Sequence, residues 1–335
     1  MFINLSLGER RKKNKKIVFK KKDISSFYSY PTSSLVLLKV IRNWIEKRYN
    51  KRISPNNISL SLGNRESLFT VFSIFKKKGY LLIPKPYYHI YSKLSKKTIF
   101  YNYKNIEKVL ENKNILNNID IVIVNSPNNF NGFFMKKKTL EKLGKLSIKY
   151  KFYILSDECY SEIFYKKKPS SFIEIKNNRN AIVINSLSKR SYSPGLRSGF
   201  IYSKNKKIIN KIKEKKILSG TLPSNFIQNK SIKLWSDEKH VSETRKFYKK
   251  NMHTCFNILK KYNKNAKKPK SGFYIWLKLG SKEKVLRTVK ELDEKGIRIS
   301  NGNIFGSEKH IRIALVEKIS VCKKAMRIIL KKIYE

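Results

Sequence analysis

The chain has 335 residues, 40% of them hydrophobic, which is enough for two domains or for one large α/β unit with a smaller lobe. The formal net charge of +53 points first to nucleic acid. However, the lysines are spread over the whole length and far outnumber the arginines. Asparagine, isoleucine, tyrosine and phenylalanine are abundant, while alanine and glycine are scarce, so the charge reads as the signature of AT-rich codons and no specific nucleic-acid partner is expected. Three separated cysteines and four scattered histidines exclude a disulfide framework and a zinc site and fit a reducing cytosol. No apolar run approaches a membrane span, and the N-terminus lacks the layout of a signal peptide, so a cytoplasmic protein is expected.

In chain order, Ile3 to Gly8 alternates like a short strand ending at a glycine, and basic, loop-like sequence follows. Tyr30-Pro31 precedes a helix with Leu35, Leu38, Ile41, Ile45 and Tyr49 on its apolar side, capped by Ser33 or Ser34. Ile58 to Leu62 reads as a strand, and Gly63-Asn64-Arg65 opens a helix from Leu68 to Phe75. Strand, glycine, helix N-terminus is a recipe for holding phosphate, because free N–H groups and the positive dipole end meet the anion. Leu81 to Ile83 is a further strand, followed by Pro84-Lys85-Pro86-Tyr87-Tyr88-His89-Ile90-Tyr91. Ile121 to Val124 is a continuous apolar strand, and Asn129-Phe130-Asn131-Gly132 carries turn chemistry after it.

Phe152 to Leu155 is the next strand, with Asp157 just beyond it. An acid there faces a site at the carboxyl edge of a sheet, and if buried it needs a charged partner; the plain alternative is a helix N-cap. Ala181 to Ile184 reads as a buried parallel strand. It runs into Ser186, Lys189, the Pro194-Gly195 turn, Arg197 and Gly199. A lone lysine in so basic a chain is a surface charge, and it is this company that singles out Lys189.

Past this stretch lie a strand at Phe200 to Tyr202 and helices at Asn205 to Lys216 and Phe226 to Trp235. A long helix from Asp237 towards Tyr262 is expected to join the two lobes. Ser271 to Leu277, the helix Lys282 to Lys295, the strands Ile297 to Ser300 and His310 to Leu315, and a closing helix Glu317 to Ile333 make a small α+β lobe. Arg312 sits among apolar strand residues, where a guanidinium needs an anion.

These segments together resemble the class I aminotransferases, which carry pyridoxal 5′-phosphate (PLP). The wording Asp157-Glu158-Cys159-Tyr160-Ser161-Glu162-Ile163 and Ser186-Leu187-Ser188-Lys189-Arg190-Ser191 to Phe200 is similar to the N-succinyldiaminopimelate aminotransferases. The resemblance implies the PLP-dependent transferase fold type I: a mostly parallel central sheet flanked by helices, with a smaller α+β lobe. It divides the chain into an N-terminal segment 1–30 joining the small lobe, a PLP-binding domain 31–235 and a C-terminal domain 236–335. Lys189 is then the Schiff-base lysine, with Asp157 on the ring nitrogen and Asn129 and Tyr160 on the phenolic oxygen. Tyr88 stacks on the ring. Ser186, Arg197, the backbone of Asn64 and Arg65, and Tyr30 from a second subunit hold the phosphate, while Gly8 and Arg312 take the substrate carboxylate. Implied further are a homodimer, glutamate as donor and N-succinyl-2-amino-6-oxopimelate as oxo-acid acceptor in lysine and diaminopimelate biosynthesis. A histidinol-phosphate or aromatic aminotransferase is the alternative, and a basic nucleic-acid-binding protein on a decayed enzyme fold is the less favoured one.

The chain departs from the family pattern at Glu9-Arg10, where Glu-Pro is usual, and after Tyr30-Pro31, where a glycine is missing. Phe130 and Asn131 stand where proline and threonine are usual, and no counterpart of the family's N-terminal helical arm is expected before Ile3.

Overall fold

A computed structural model describes residues 2–9, 30–75 and 78–334; the basic stretch expected as a loop after Gly8 lies almost wholly outside them. In chain order the strands are β1 (Ile3–Asn4), β2 (Ile58–Ser61), β3 (Tyr80–Pro84), β4 (Thr98–Tyr101), β5 (Ile119–Asn125), β6 (Tyr153–Asp157), β7 (Ala181–Ser186), β8 (Gly199–Ser203), β9 (Tyr274–Lys278), β10 (Ile297–Arg298), β11 (Ser300–Asn301) and β12 (His310–Ala314). The helices are α1 (Leu35–Tyr49), α2 (Asn64–Ser73), α3 (Ile106–Glu111), α4 (Lys113–Asn118), α5 (Lys137–Lys149), α6 (Leu187–Arg190), α7 (Lys206–Leu218), α8 (Asn225–Ser236), α9 (Lys239–Tyr262), α10 (Lys282–Glu294) and α11 (Ile319–Tyr334).

Seven strands form the large sheet in the order β2-β8-β7-β6-β5-β3-β4. β8 runs antiparallel to both neighbours, and the remaining pairs are parallel, as expected for an α/β fold. Successive strand side chains point to opposite faces. Leu82, Val122, Val124, Ile154 and Val183 therefore enter a core shared with α1, while Leu81, Ile83, Ile121, Ile123, Leu155 and Ile182 enter one shared with α2 and α7. Burial on both faces is why these strands read as unbroken apolar runs.

In α1, Ser34 Oγ accepts from the Leu37 N–H at 3.2 Å, and Asn50 ends the helix in the left-handed region. Leu38, Ile41, Ile45 and Tyr49 are buried as the spacing predicts. Leu35, expected on the same face, is 71% exposed, because the first residue of the helix overhangs the core.

The second unit pairs β11-β12-β9 antiparallel over a core with α9, α10 and α11. The strand expected at Ile297 to Ser300 divides at Ile299: β10 pairs parallel with β1, and β11 pairs with β12. The N-terminal strand is shorter than its pattern suggests. Ile3 and Leu5 are buried, but Leu7 is 53% exposed, because the last ladder bond to β10 is Leu5 N–H to Arg298 O. The 24-residue α9 buries Tyr248 in a cluster with Tyr160 and Phe273, and Met252, Cys255 and Leu259 in the small core. Among the described residues no helix is long and apolar enough to cross a membrane, and no group of three or more His, Cys, Asp or Glu could hold a metal.

Candidate active site

Three neighbouring parallel strands end in polar side chains at one edge: β5 in Asn125, β6 in Asp157 and β7 in Ser186. The register sets Asn125 beside Asp157, and Asn125 Nδ2 donates to the Asp157 carbonyl at 3.1 Å. The Asp157 carboxylate is 3% exposed. Its Oδ1 accepts from Asn64 Nδ2 at 2.7 Å and from the Cys159 N–H at 3.2 Å, and its Oδ2 from the Tyr91 hydroxyl at 2.8 Å. Burial pushes its pKa above the usual carboxylate range, and the bonds from Tyr91, Cys159 and Asn64 pull the other way. It has no ion-pair partner among the described residues, and a buried carboxylate is completed by a cation; the ring nitrogen that the resemblance implies there would be one.

Beside it lies an anion cradle. Gly63, with φ +89°, precedes the ten-residue α2, and no side chain caps that helix. A Cβ on Gly63 would lie 3.2 Å from Arg197 Nη2, so the guanidinium sits over the helix entrance. Arg197 is itself left-handed at φ +53° and donates to the Pro194 carbonyl at 2.8 Å. The Ser186 hydroxyl is buried with no hydrogen-bond partner. Uncapped helical N–H groups, an unpartnered hydroxyl and a guanidinium fit a phosphate.

Lys189 is the third residue of the short α6, and its Nζ donates to the Gly8 carbonyl at 2.8 Å. Gly8 thus meets the lysine through its C=O, a contact that its expected part in taking the substrate carboxylate did not include. The glycine is forced sterically, since a Cβ there would lie 1.9 Å from Tyr274 Oη. Tyr274 Oη is also 3.4 Å from Tyr160 Oη. Burial holds the Tyr160 hydroxyl far above its usual pKa, so it remains a neutral donor. Asn129 donates its backbone N–H to Asn125 Oδ1 at 3.2 Å and leaves its own Oδ1 buried without a partner. Tyr88 Oη accepts from Arg65 Nε and Nη2 at 3.2 and 3.0 Å, which turns its half-buried ring to the cleft wall.

Arg312, 7% exposed on β12, donates through Nη2 to the Ser6 carbonyl at 2.9 Å and to Ser300 Oγ at 3.4 Å. Its guanidinium lies 4.3 Å and 4.2 Å from the ring centroids of Tyr274 and Phe305. Its Nε has no partner, and no carboxylate of a described residue pairs with it.

These groups, Gly63 aside, line one cleft of about 1150 Å³ between the large sheet edge and the small unit. Of the sequence candidates only Tyr30 stands outside it, 95% exposed on this chain's surface. Sequence reasoning missed the Tyr91 and Asn64 side chains on Asp157, and Tyr274. It also missed His89, whose Nδ1 is unpartnered and whose imidazole is held below its usual pKa by burial and then by Arg65 and Arg312. His89 and Tyr91 stand in the quoted segment around Tyr88, and Asn64 was named for its backbone alone, whereas Tyr274 lies in an alternating stretch that carries no signal of a site.

The chain matches the family model for aminotransferase class I and II over residues 2–329. It is similar to the aspartate aminotransferase of Thermotoga maritima, 25% identical over 312 residues that cover 89% of this chain and 81% of the relative. The LL-diaminopimelate aminotransferase of Oleidesulfovibrio alaskensis is 27% identical over 315 residues, covering 86% of this chain and 79% of the relative. The crystal structure of an aminotransferase from Helicobacter pylori matches with a TM-score of 0.87 at 27% identity, covering 99% of this chain and 93% of that one.

Proposed function

The chain belongs to the class I and II aminotransferases, a PLP-dependent family, and from that premise we propose that it moves an amino group from glutamate to N-succinyl-2-amino-6-oxopimelate. That reaction belongs to lysine and diaminopimelate biosynthesis in the cytoplasm. The wording of the Asp157 and Lys189 segments supports this acceptor. When bound, PLP supplies an electron-accepting ring and the carbon that carries the amino group between substrates. Ser186, Arg197 and the Asn64 and Arg65 N–H groups hold its phosphate. Asp157 keeps a proton on the ring nitrogen, and Asn129 and Tyr160 donate to the phenolic oxygen. Lys189, steadied by the Gly8 carbonyl, is the base that moves the proton at the substrate α-carbon. Tyr30 serves the phosphate of a second copy, which makes the working unit a homodimer.

One observation carries the reading of the substrate as an α-carboxylate: the buried Arg312 with an unpartnered Nε and no carboxylate beside it. Such a guanidinium is costly to bury unless an anion completes it. The name of the Thermotoga maritima relative favours a second reading, in which the shorter aspartate and its oxo-acid are exchanged.

The test is an absorbance spectrum of the purified protein before and after glutamate, followed by a donor–acceptor screen. Bleaching of the bound cofactor band, fastest recovery with the N-succinyl acceptor, and loss of both in Lys189→Ala are expected. Rapid turnover in Lys189→Ala would end the assignment of that residue, and a preference for oxaloacetate would select the second reading.

A further inference from the structure

The cleft has a wall that amino transfer at Lys189 and Arg312 leaves unused. One stripe of α10, Val285, Thr288 and Leu292, is buried in the small core. A second stripe, Leu286, Val289, Lys290 and Asp293, lines the cleft instead. Residues three and four apart share a helical face, so this is a continuous surface. Leu286 is 48% exposed, and Leu7 and Ile304, which line the same cleft from other segments, are 53% and 54% exposed. Large apolar side chains left half in water on a cleft wall gain by covering a ligand.

The charges on this wall are unequal in their commitments. Asp293 and Arg298 neutralise each other, with Nε to Oδ1 at 2.9 Å and Nη2 to Oδ2 at 3.3 Å. Lys290, on the same stripe, forms no ion pair among the described residues. We propose that this wall is a distal-chain subsite. Leu7, Leu286, Val289 and Ile304 take the methylenes of a long dicarboxylate, and Lys290 takes its far carboxylate, so α10 sets the preferred chain length. The inference rests on the reading of Arg312 as the receptor for the α-carboxylate. An aspartate-sized substrate would leave the apolar wall in water, whereas the N-succinyl acceptor would cover it.

The experiment is calorimetric titration of the holoenzyme with unreactive dicarboxylates, succinate, glutarate, adipate and pimelate, which reads binding and not turnover. Affinity in the wild type should rise by about two- to fourfold per methylene, the scale of burying one CH₂ against a half-open wall. Lys290→Met should weaken pimelate by about tenfold, the loss of one charge-assisted contact, while changing succinate by less than about twofold. Leu286→Ser should flatten the series. Both positions are exposed, so both variants should melt like the wild type. A flat wild-type series, or equal losses for succinate and pimelate, would overturn the proposal. So would Leu286→Ser changing the sedimenting mass with the series intact, since the wall would then be a subunit contact. A rising series without turnover of the N-succinyl acceptor would sink that acceptor and leave the subsite standing. Turnover of the acceptor with a flat series would do the reverse.

Discussion

Arg312 and Glu158 are both buried charged side chains, and the fold treats them in opposite ways. Arg312 has five N–H donors but spends only Nη2, on the Ser6 carbonyl and Ser300 Oγ, and rests between two aromatic rings. Its planar fork is left ready for a carboxylate, and lysine has no such fork. Arg312→Lys should therefore lose about 2–5 kcal/mol of the pairing, or roughly 30- to 4,000-fold in kcat/KM for glutamate. A PLP titration of the same variant should be unchanged, and unchanged efficiency would refute the clamp. Glu158 instead has its oxygens filled: Oε1 accepts from Ser156 Oγ at 2.9 Å and the Phe172 N–H at 3.1 Å, and Tyr49 Oη stands 3.5 Å from Oε2. Burial still dominates and pushes its pKa up to about 7, from 4.5 in an unfolded chain. A raised folded-state pKa contributes stability that is full below the unfolded value and is lost as pH rises through the folded one. Wild-type stability should thus carry a decline between pH 4.5 and about 7 from this carboxyl, on the order of 3 kcal/mol. Denaturant melts across that window should show a shallower decline in Glu158→Gln; parallel profiles would show that this carboxyl does not titrate there.

At the scale of elements, the N-terminal strand is what brings Lys189 its acceptor. β1 pairs with β10, and the chain then passes Tyr274 so closely that only a glycine fits at position 8. Gly8→Ala should push this segment off Tyr274 at a cost of about 1–3 kcal/mol. It should also slow turnover, because the Lys189 amine loses its carbonyl. Thermal melts and kinetics check both effects, and adding Tyr274→Phe should recover part of the loss by removing the nearest atom. A Gly8→Ala protein indistinguishable from wild type would show the contact to be slack. The same element shows what sequence could and could not reveal. Continuous apolar runs such as Ile121 to Val124 and Ala181 to Ile184 marked the sheet, and because the cleft lies at strand ends, polar residues shortly past the runs, Asn129, Asp157 and Ser186, could be singled out as candidates. The alternation at Ile3 and Leu5 was legible, but its failure at Leu7 was not, since the ladder partner that ends there is Arg298, nearly three hundred residues away. The bonds of Asn64 and Tyr91 to Asp157 span 93 and 66 positions. No local pattern encodes such contacts, although local patterns placed the residues one by one near the edge. β4 and the α3–α4 pair carry too few buried positions to stand out from their polar surroundings.

For the whole molecule, the decisive quantity is the excess of 76 basic over 23 acidic residues. Several of the acids are committed to internal pairs: Glu162 to Arg48 and Arg245, Glu66 to the fully buried Lys216, and Glu238 to Arg190. Among the described residues most lysines face solvent without a carboxylate and repel one another across the surface. Such a net charge opposes non-specific association of copies in solution and strains the compact state. Screening shortens the reach of that repulsion, from a Debye length of about 10 Å at 0.1 M salt to about 3 Å at 1 M. The protein should consequently melt at a higher temperature as sodium chloride is raised, opposite to the trend for a fold held by surface ion pairs, which the same salt weakens. The same field should attract any polyanion without reading it. Binding to duplex DNA should be indifferent to sequence and should fall steeply with salt, because the affinity comes from released counterions. Melting across a salt series, with DNA titrations of two unrelated sequences at each concentration, measures both consequences in one experiment. A melting temperature that falls with salt would show that the surface pairs outweigh the repulsion. Tight binding of one sequence over the other at physiological salt would mean that the charge is arranged to recognise nucleic acid and is more than a by-product of composition.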